Sequence, residues 1–250
     1  MKRSIFTAIL SLVMMSSFSQ TILNISAAAN VRDAMNEMKQ IYVEQNPSVT
    51  VNINYGASGM LTQQIVNGID CDIFFSADEN FAIKLHELGL TTGDVMPYAE
   101  GMLLLYSKSI DVSQIGLAVL KLDKVKKIAV ANPNAAPYGA RAIEAIKNYG
   151  VYDDISSKII YGENIAATAQ YTFSGNTEVG IIALSQSRSP GAQMDGHNYL
   201  IPSDLYSPII QSCVVIKRKE TKGETIKFLN FILGDECKSI WIKYGYNSNF

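Results

Sequence analysis

The feature that most restricts the fold of this 250-residue chain is an arrangement that occurs four times. Each time, a β-rich run leads through a turn of small residues into the start of an amphipathic helix. The four junctions are residues 21–26 into 27–30, 51–55 into 56–59, 128–131 into 137–139, and 159–161 into 162–165. Strands that alternate with helices are typical of α/β layers around a mostly parallel sheet. The sequence therefore predicts an α/β protein.

The helix starts at these junctions suggest the kind of ligand. The first N–H groups of a helix have no partner within the helix and lie at its positive end, where an anion binds readily. In open α/β sheets, ligands bind at the edge where such helices begin. The junctions at Asn30, Ser58, Tyr138 and Ile165 converge on one cleft if the two sheet edges face each other. Four such turns beside almost no catalytic machinery predict an anion receptor.

Each of these residues also has a purely structural explanation. Asn30 and Ser58 are residue types that cap helices, so their side chains could simply satisfy the main chain. Tyr138 could be a core aromatic residue, although its phenol is also a good donor. The small residues around Asn30 and Ser58 favour the ligand role, because they let an ion approach the main chain closely.

The N-terminus predicts export. Lys2 and Arg3 precede an apolar stretch at residues 5–15, and Ser17-Phe18-Ser19 forms a small-x-small cleavage signal. This pattern is typical of a secretory signal peptide at residues 1–19, cleaved near Ser19. The apolar stretch is shorter than the ~20 residues of a membrane span. We therefore expect a soluble periplasmic protein.

Two continuously apolar runs bracket the middle of the chain, at residues 101–106 and Ile209–Ile216. If these are the crossings between two lobes, the first lobe contains residues 20–98 plus 206–250 and the second contains residues 99–205. Further helices are predicted at residues 30–45, 58–67, 79–88, 222–233 and 235–244, and a solvated polar loop at residues 185–198.

Charge and cysteine content limit the alternatives. Without Lys2 and Arg3 the net charge is about −4, and no basic face for nucleic acid is evident. The three cysteines match no metal-ligand spacing. In an oxidising compartment Cys213 and Cys237 could pair, or they could remain buried free thiols, and the odd count leaves at least one thiol unpaired.

Several motifs together resemble the periplasmic molybdate-binding proteins of ABC transporters, over essentially the whole mature chain. They are Ala27-Ala28-Ala29-Asn30, Tyr55-Gly56-Ala57-Ser58-Gly59-Met60-Leu61 with Gln64-Ile65 and Gly68, Asp72-Ile73-Phe74-Phe75-Ser76-Ala77-Asp78, Asn132-Pro133 with Pro137-Tyr138-Gly139, Val179-Gly180-Ile181, and Ile242-Lys243-Tyr244-Gly245-Tyr246.

The resemblance implies a two-lobed type II periplasmic-binding-protein fold, in which each lobe is a mixed sheet flanked by helices. Two hinge strands join the lobes, which close over a tetrahedral oxyanion held by hydrogen bonds without a counter-charge. Carried over by motif, the ligand residues are Asn30, Ser58, Tyr138 and, through its main-chain N–H, Ile165. No cofactor is implied, and molybdenum or tungsten enters only as molybdate or tungstate. We expect a monomer that delivers the ion to the ABC transporter permease in the inner membrane.

The ligand set varies within the resembling family. Many members have serine where Asn30 stands and tyrosine where Ala183 stands. A second set, with asparagine in the first turn and tyrosine in the third, is more similar to this chain, although Ala29 stands where that set has threonine. Sulfate is smaller than molybdate, and phosphate keeps a proton that needs an acceptor, for which Glu163 and Asp33 are candidates.

Other function classes have weaker support in the sequence. A thiol hydrolase would need Cys71 beside His86 or His197. A carboxylate metal site would use Asp70, Asp72 and Asp78, for which turn or capping roles are an alternative. Arg32 and Arg141 lie just inside predicted helices, where local pairing is expected rather than contact with the ion. An extracytoplasmic sensor or adhesion module with the same fold is a third reading.

Overall fold

A computed structural model describes residues 20–192, 195–219 and 221–247 of the chain. The predicted signal peptide at residues 1–19, with its cleavage point near Ser19, lies outside the described residues. None of the helices in the described part of the chain is both long and apolar enough to cross a membrane.

The first of two sheets contains strands from both ends of the chain. Its strands are β1 (Thr21–Ala28), β2 (Val49–Gly56), β3 (Ile73–Phe75), β4 (Thr91–Gly101) and β10 (Ile209–Ile216), in the spatial order β2-β1-β3-β10-β4. Strands β2 and β3 pair parallel with β1, and β10 pairs antiparallel with β3 and β4. Its helices are α1 (Arg32–Gln45), α2 (Ser58–Val66), α3 (Glu79–Glu87), α8 (Gly223–Leu233) and α9 (Asp235–Lys243).

The second sheet is built from the middle of the chain. Its strands are β5 (Leu103–Ser107), β6 (Ile128–Ala131), β7 (Ile159–Gly162), β8 (Val179–Ala183) and β9 (His197–Leu200), in the order β7-β6-β8-β5-β9. Strands β7 and β8 pair parallel with β6, whereas β8 and β9 pair antiparallel with β5. Its helices are α4 (Pro137–Asn148), α5 (Tyr152–Ile155), α6 (Ile165–Phe173) and α7 (Leu184–Ser187).

The chain passes between the sheets twice, from β4 to β5 and from β9 to β10. Two mixed sheets flanked by helices and joined in this way confirm the predicted two-lobed type II fold. Strand β4 continues in the first sheet as far as Gly101, three residues beyond the predicted division at 98/99. The residue boundaries of the lobes stay a prediction.

Two edge strands were not predicted. Strand β4 contains Gly93, Asp94 and Pro97, which are uncommon inside strands, and it lies at the edge of the first sheet. The prediction of a solvated loop over residues 185–198 is wrong in part. Ser185 and Gln186 are buried in α7, and β9 begins at His197.

All three cysteines are free and buried, so the structure has the thiol alternative and not a bridge between Cys213 and Cys237. Burial raises the pKa of Cys71 to about 11 and that of Cys237 to about 12. Both thiols therefore stay protonated at neutral pH, in the unreactive form.

Candidate anion-binding site

The four predicted ligand residues line one cavity between the two sheets. Asn30 follows β1, Ser58 begins α2, Tyr138 lies in the first turn of α4, and Ile165 begins α6. Each is at most 4% exposed. The cavity has an empty volume of about 200 Å³, including the part open to solvent. The enclosed part of this space is far smaller than the pockets that organic ligands occupy, so the cavity suits a small ion.

Three of the four helix starts at the cavity have no side-chain cap. The N-cap positions are Ala28 before the short 3-10 turn Ala29–Val31, Ala57 before α2, and Ala136 before α4. The alanine side chain has no atom that can accept a hydrogen bond from the first turn. The prediction that Asn30 and Ser58 cap these turns is therefore wrong, because each lies inside its helical turn, although Ser58 Oγ does satisfy the main-chain N–H of Ala77. The N–H groups of Ser58 and Tyr138 are left for another partner, whereas the Gly59 N–H donates to the Ala135 carbonyl and the Gly139 N–H to the Ala136 carbonyl.

Helix α6 is capped in a way that spares one donor. Asn164 Oδ1 accepts hydrogen bonds from the N–H groups of Ala166 and Ala167, both at 3.0 Å. The cap therefore satisfies the second and third N–H groups of the helix. The first, that of Ile165, remains for a ligand, as expected for a residue that is to contribute through its main chain.

The hydroxyl of Ser58 is oriented by its surroundings. Ser58 Oγ accepts a hydrogen bond from the Ala77 N–H at 3.0 Å. A hydroxyl has one proton and two lone pairs, so this contact leaves its proton free to donate. Ser58 is 1% exposed and lines the cavity. It can thus offer two donors, its hydroxyl and its main-chain N–H.

Asn30 and Tyr138 belong to a buried polar cluster that the sequence did not reveal. Asn30 Nδ2 donates to Gln211 Oε1 at 2.6 Å and to Tyr246 Oη at 2.9 Å. Asn30 Oδ1 is buried without a hydrogen-bond partner. Tyr138 Oη accepts from Gln211 Nε2 at 3.5 Å. Burial raises the pKa of Tyr138 well above its usual value, so the phenol stays neutral and keeps its proton.

None of the described residues that line the cavity has a charged side chain. Its lining residues are Ala28, Ala29, Asn30, Gly56, Ala57, Ser58, Ala77, Ala136, Pro137, Tyr138, Asn164 and Ile165. The guanidinium of Arg32 lies 4.5 Å from the centre of the Tyr55 ring, and Arg141 pairs with Glu144 at 3.0 Å. Both arginines therefore have local partners.

Of the two alanines at ligand positions that vary within the resembling family, only one lies at the cavity. Ala29 lines the cavity, whereas Ala183 is buried at the end of β8, opposite Leu103 of β5. The two candidate acceptors for a protonated ion also lie elsewhere. Glu163 is exposed, and Asp33 Oδ2 accepts a 2.6 Å hydrogen bond from Ser189 Oγ.

The two lobes contact each other around the cavity. The Gly59 N–H at the start of α2 donates to the Ala135 carbonyl at 2.9 Å. Ser185 Oγ donates to the Asn30 carbonyl at 3.0 Å. Ala28, Ala29, Ala57 and Ala77 pack into the hydrophobic core of the second lobe. The structure therefore shows the lobes closed on each other.

The residues of the rival sites have structural partners. Cys71 Sγ donates to the Ile73 carbonyl at 3.2 Å, whereas His86 contacts Thr91 and His197 lies 3.5 Å from Asp111. The structure thus places neither histidine on the thiol.

The three aspartates are engaged as well. Asp70 and Asp72 both pair with Arg218, and Asp78 accepts from the Phe81 N–H as the cap of α3. Over the described ranges, no three His, Cys, Asp or Glu residues are grouped so that they could hold a metal ion.

Known proteins share both the sequence pattern and the fold. The molybdate-binding protein ModA of Rhodobacter capsulatus is 33% identical over 222 residues, covering 88% of this chain and 86% of the relative. The protein of the same name from Azotobacter vinelandii is 31% identical over 223 residues, covering 89% and 88%. A solved structure of the Azotobacter vinelandii periplasmic molybdate-binding protein matches with a TM-score of 0.85 at 28% identity, covering 91% of this chain and all of that one.

The family match spans nearly all of the described chain. Residues 23–247 match the bacterial extracellular solute-binding proteins. This range includes both sheets, apart from the first two residues of β1, and every residue that lines the cavity. The chain belongs to the family of bacterial extracellular solute-binding proteins.

Proposed function

We propose that this protein captures molybdate, and tungstate as well, outside the cytoplasm and delivers it to an ABC transporter. The observation that carries the proposal is the meeting of four helix starts, two from each lobe, at one small uncharged cavity. The molybdate-binding relatives from two organisms, each covering most of the chain, support this choice of ligand.

Neutral donors are sufficient for such a ligand. The proposed site offers the four main-chain N–H groups of Asn30, Ser58, Tyr138 and Ile165 and the hydroxyls of Ser58 and Tyr138. Hydrogen bonds to a charged group contribute ~1.5–3 kcal/mol each, so six supply about 9–18 kcal/mol before desolvation and closure. Micromolar to nanomolar binding corresponds to about 8–12 kcal/mol net. No salt bridge is needed to reach that range.

The proposed cellular role follows from the family and the N-terminal sequence. Cleavage of the signal peptide near Ser19 would release a periplasmic monomer. In the closed form, the loaded protein would dock on the permease of an ABC transporter in the inner membrane. The ligand residues bind the oxyanion and have no catalytic task, and no cofactor takes part.

One observation favours a second candidate ligand class. Asn30 Oδ1 is a buried acceptor without a partner in a residue that lines the cavity. An oxyanion that keeps a proton, such as hydrogen phosphate, could donate to this oxygen. A fully deprotonated ion could not, because it has only acceptors.

Isothermal titration of the mature protein with molybdate, tungstate, sulfate and phosphate tests the proposal. We expect saturable heat with molybdate and tungstate, similar affinities for the two, and little or none with sulfate. Saturable binding of sulfate or phosphate without molybdate heat would overturn the choice of ligand. Binding of phosphate in preference to the metal oxyanions would select the second candidate.

A further inference from the structure

A buried glutamine connects the hinge to the cavity. Gln211 lies on β10, the strand that returns the chain from the second lobe to the first, and its side chain is fully buried. It contacts Asn30, which follows β1, and Tyr138, which belongs to α4 of the other lobe. Gln211 does not itself line the cavity, so its role must be exerted through these two neighbours.

The hydrogen bonds of Gln211 run in a defined direction. Its Oε1 accepts from Asn30 Nδ2 at 2.6 Å and from Tyr98 Oη at 3.2 Å, while its Nε2 donates to Tyr138 Oη. The second amide hydrogen of Asn30 is directed to Tyr246 Oη. Both hydrogens of the Asn30 amide are therefore used, and its oxygen is left over. Tyr138 already accepts from Gln211, and its proton is available to the ion or to Asn30, the other side chain that acts on its phenol.

We propose that Gln211 is a positioning residue of the anion site: the orientation of its amide decides which atoms Asn30 and Tyr138 present to the ion. The inference rests on the function proposed above. In the arrangement described, Asn30 presents an acceptor and Tyr138 a donor. If the Gln211 amide turns end for end, its Nε2 faces Asn30, whose amide must turn too because two N–H groups cannot bond each other.

The turned arrangement has the opposite polarity. Asn30 then presents its Nδ2 hydrogens in place of the Tyr138 hydroxyl, which donates to Gln211 Oε1, so the number of donors to the ion stays the same. The Tyr246 hydroxyl, which donates to the Asn30 carbonyl in the arrangement described, turns to donate to Asn30 Oδ1. A fully deprotonated oxyanion pairs with the Asn30 amide in this arrangement. An oxyanion that keeps one proton pairs instead with Asn30 Oδ1 in the arrangement described. The Gln211 amide thus sets whether the Asn30 side chain offers the ion an acceptor or donors.

Gln211→Glu gives a test with a distinctive pH profile. A neutral carboxyl group has one acceptor oxygen and one O–H donor, so it can replace both the acceptor and a donor of the Gln211 amide. A carboxylate has acceptors only, and its charge repels the ion. Burial raises the pKa of such a carboxyl group.

The titratable groups around Gln211 are Tyr98 on β4, Tyr138 on α4, Tyr246 near the C-terminus and Cys213 on β10, and burial raises the pKa of each. More distant charges act on two of them, Asp78 on Tyr98 and Asp33 on Tyr246. All four groups therefore stay neutral over the range of the experiment.

We expect the molybdate affinity of the wild type to be nearly constant between about pH 5.5 and 8, because the described part of the chain places no charged side chain in the cavity wall. Gln211→Glu should bind within about threefold of the wild type at the acidic end and more than about thirtyfold more weakly at the basic end. Gln211→Met, which fills a similar volume without hydrogen bonds, should lose about tenfold at every pH.

Ser212→Ala is the matched control. Ser212 is the next residue on β10, is fully buried, and its Oγ has no hydrogen-bond partner. The molybdate affinity of the Ser212→Ala variant should therefore equal that of the wild type. Unfolding temperatures of all variants separate binding from folding. Wild-type affinity in Gln211→Met, or a flat pH profile in folded Gln211→Glu, would overturn the inference. If Gln211→Glu unfolds at basic pH, Gln211→Met decides.

The two proposals fail differently. A wild type that gives no heat with molybdate or tungstate refutes the proposed ligand, and the Gln211 series is then measured with whichever of sulfate or phosphate it binds. A wild type that binds molybdate alongside variants that match it refutes the role of Gln211 alone. A wild type that binds none of the four ions refutes both.

Discussion

The main-chain donor at Ile165 can be removed without removing the helix. Proline is favoured at the first position of a helix, since the N–H that it lacks has no partner within the helix there. Helix α4 of this protein already begins with Pro137. The residue before position 165, Asn164, has φ −147° and ψ 177°, an extended conformation that a following proline accepts. Ile165→Pro should therefore delete one donor and leave α6 in place.

The size of the effect follows from the contacts of the cap. Asn164 Oδ1 bonds the N–H groups of Ala166 and Ala167, so the substitution leaves both cap bonds intact. The loss is one hydrogen bond to a charged group, ~1.5–3 kcal/mol, or about 10- to 150-fold in affinity. The free energy of unfolding should fall only slightly, because the proline ring keeps part of the buried apolar contact of Ile165.

Ile165→Ala is the matched control and should behave in the opposite way. It keeps the N–H but removes most of a side chain that is 4% exposed, which generally costs ~2–5 kcal/mol of stability. In titration calorimetry Ile165→Pro should bind the ion more weakly than Ile165→Ala. In thermal unfolding without ligand Ile165→Ala should be the less stable of the two. If Ile165→Pro binds molybdate as tightly as the wild type, the main-chain N–H is not a ligand and the reasoning from the cap is wrong.

Three further changes test other parts of the structure. Ser58→Ala should weaken oxyanion binding by ~1.5–3 kcal/mol in calorimetry because it removes a donor to the ion, and unchanged affinity would place Ser58 outside the site. Gly139→Ala should lower the free energy of unfolding by ~1–3 kcal/mol, since its Cβ would lie 2.1 Å from the Ala131 carbonyl oxygen. The hydrogen bond from Lys243 lowers the pKa of Glu37 below 4.5, so this carboxylate stabilises the fold above that pH and the contribution is lost as the pH falls through the lowered pKa. Glu37→Gln should therefore cost up to ~1 kcal/mol near neutral pH and nothing in strong acid, and a cost that persists in acid would contradict this assignment.

The main elements could be predicted because their signals are local. The helical spacing in residues 30–45 and the apolar run of β10 predict α1 and β10 to within a residue or two. The small residues that precede Ser58 and Tyr138 mark the turns from strand to helix. The sequence is therefore sufficient to predict elements and turns whose position depends on neighbouring residues in the chain.

Edge strands and cap positions were harder to predict. Strand β4 pairs with only one neighbour, so it tolerates Gly93 and Pro97, which the strand pattern excludes. The capping preference of asparagine and serine pointed to Asn30 and Ser58 as caps, but alanine occupies both cap positions. An alanine cap leaves the helix start unsatisfied, as a ligand site requires and a helix built for stability alone does not.

The polar cluster behind the cavity could not be predicted at all. Asn30 contacts Gln211 and Tyr246, which lie 181 and 216 residues further along the chain. No local pattern relates such residues. Buried glutamine and tyrosine have many possible partners, and only the folded chain determines which ones meet.

The division of donors between the lobes gives the proposed site a reason to close. Asn30 and Ser58 belong to the first lobe, and Tyr138 and Ile165 to the second. An open form can offer the ion the donors of one lobe only, so about half of the gross hydrogen-bond energy of ~9–18 kcal/mol exists solely in the closed form. A ligand shifts a conformational equilibrium by its difference in affinity for the two states. A difference of ~5.5 kcal/mol takes such an equilibrium from almost fully open to almost fully closed. In the arrangement described, the second lobe offers three neutral donors, which reach this size only if each is well aligned. The orientation of Tyr138 and Ile165 therefore decides whether the bound ion can hold the lobes closed.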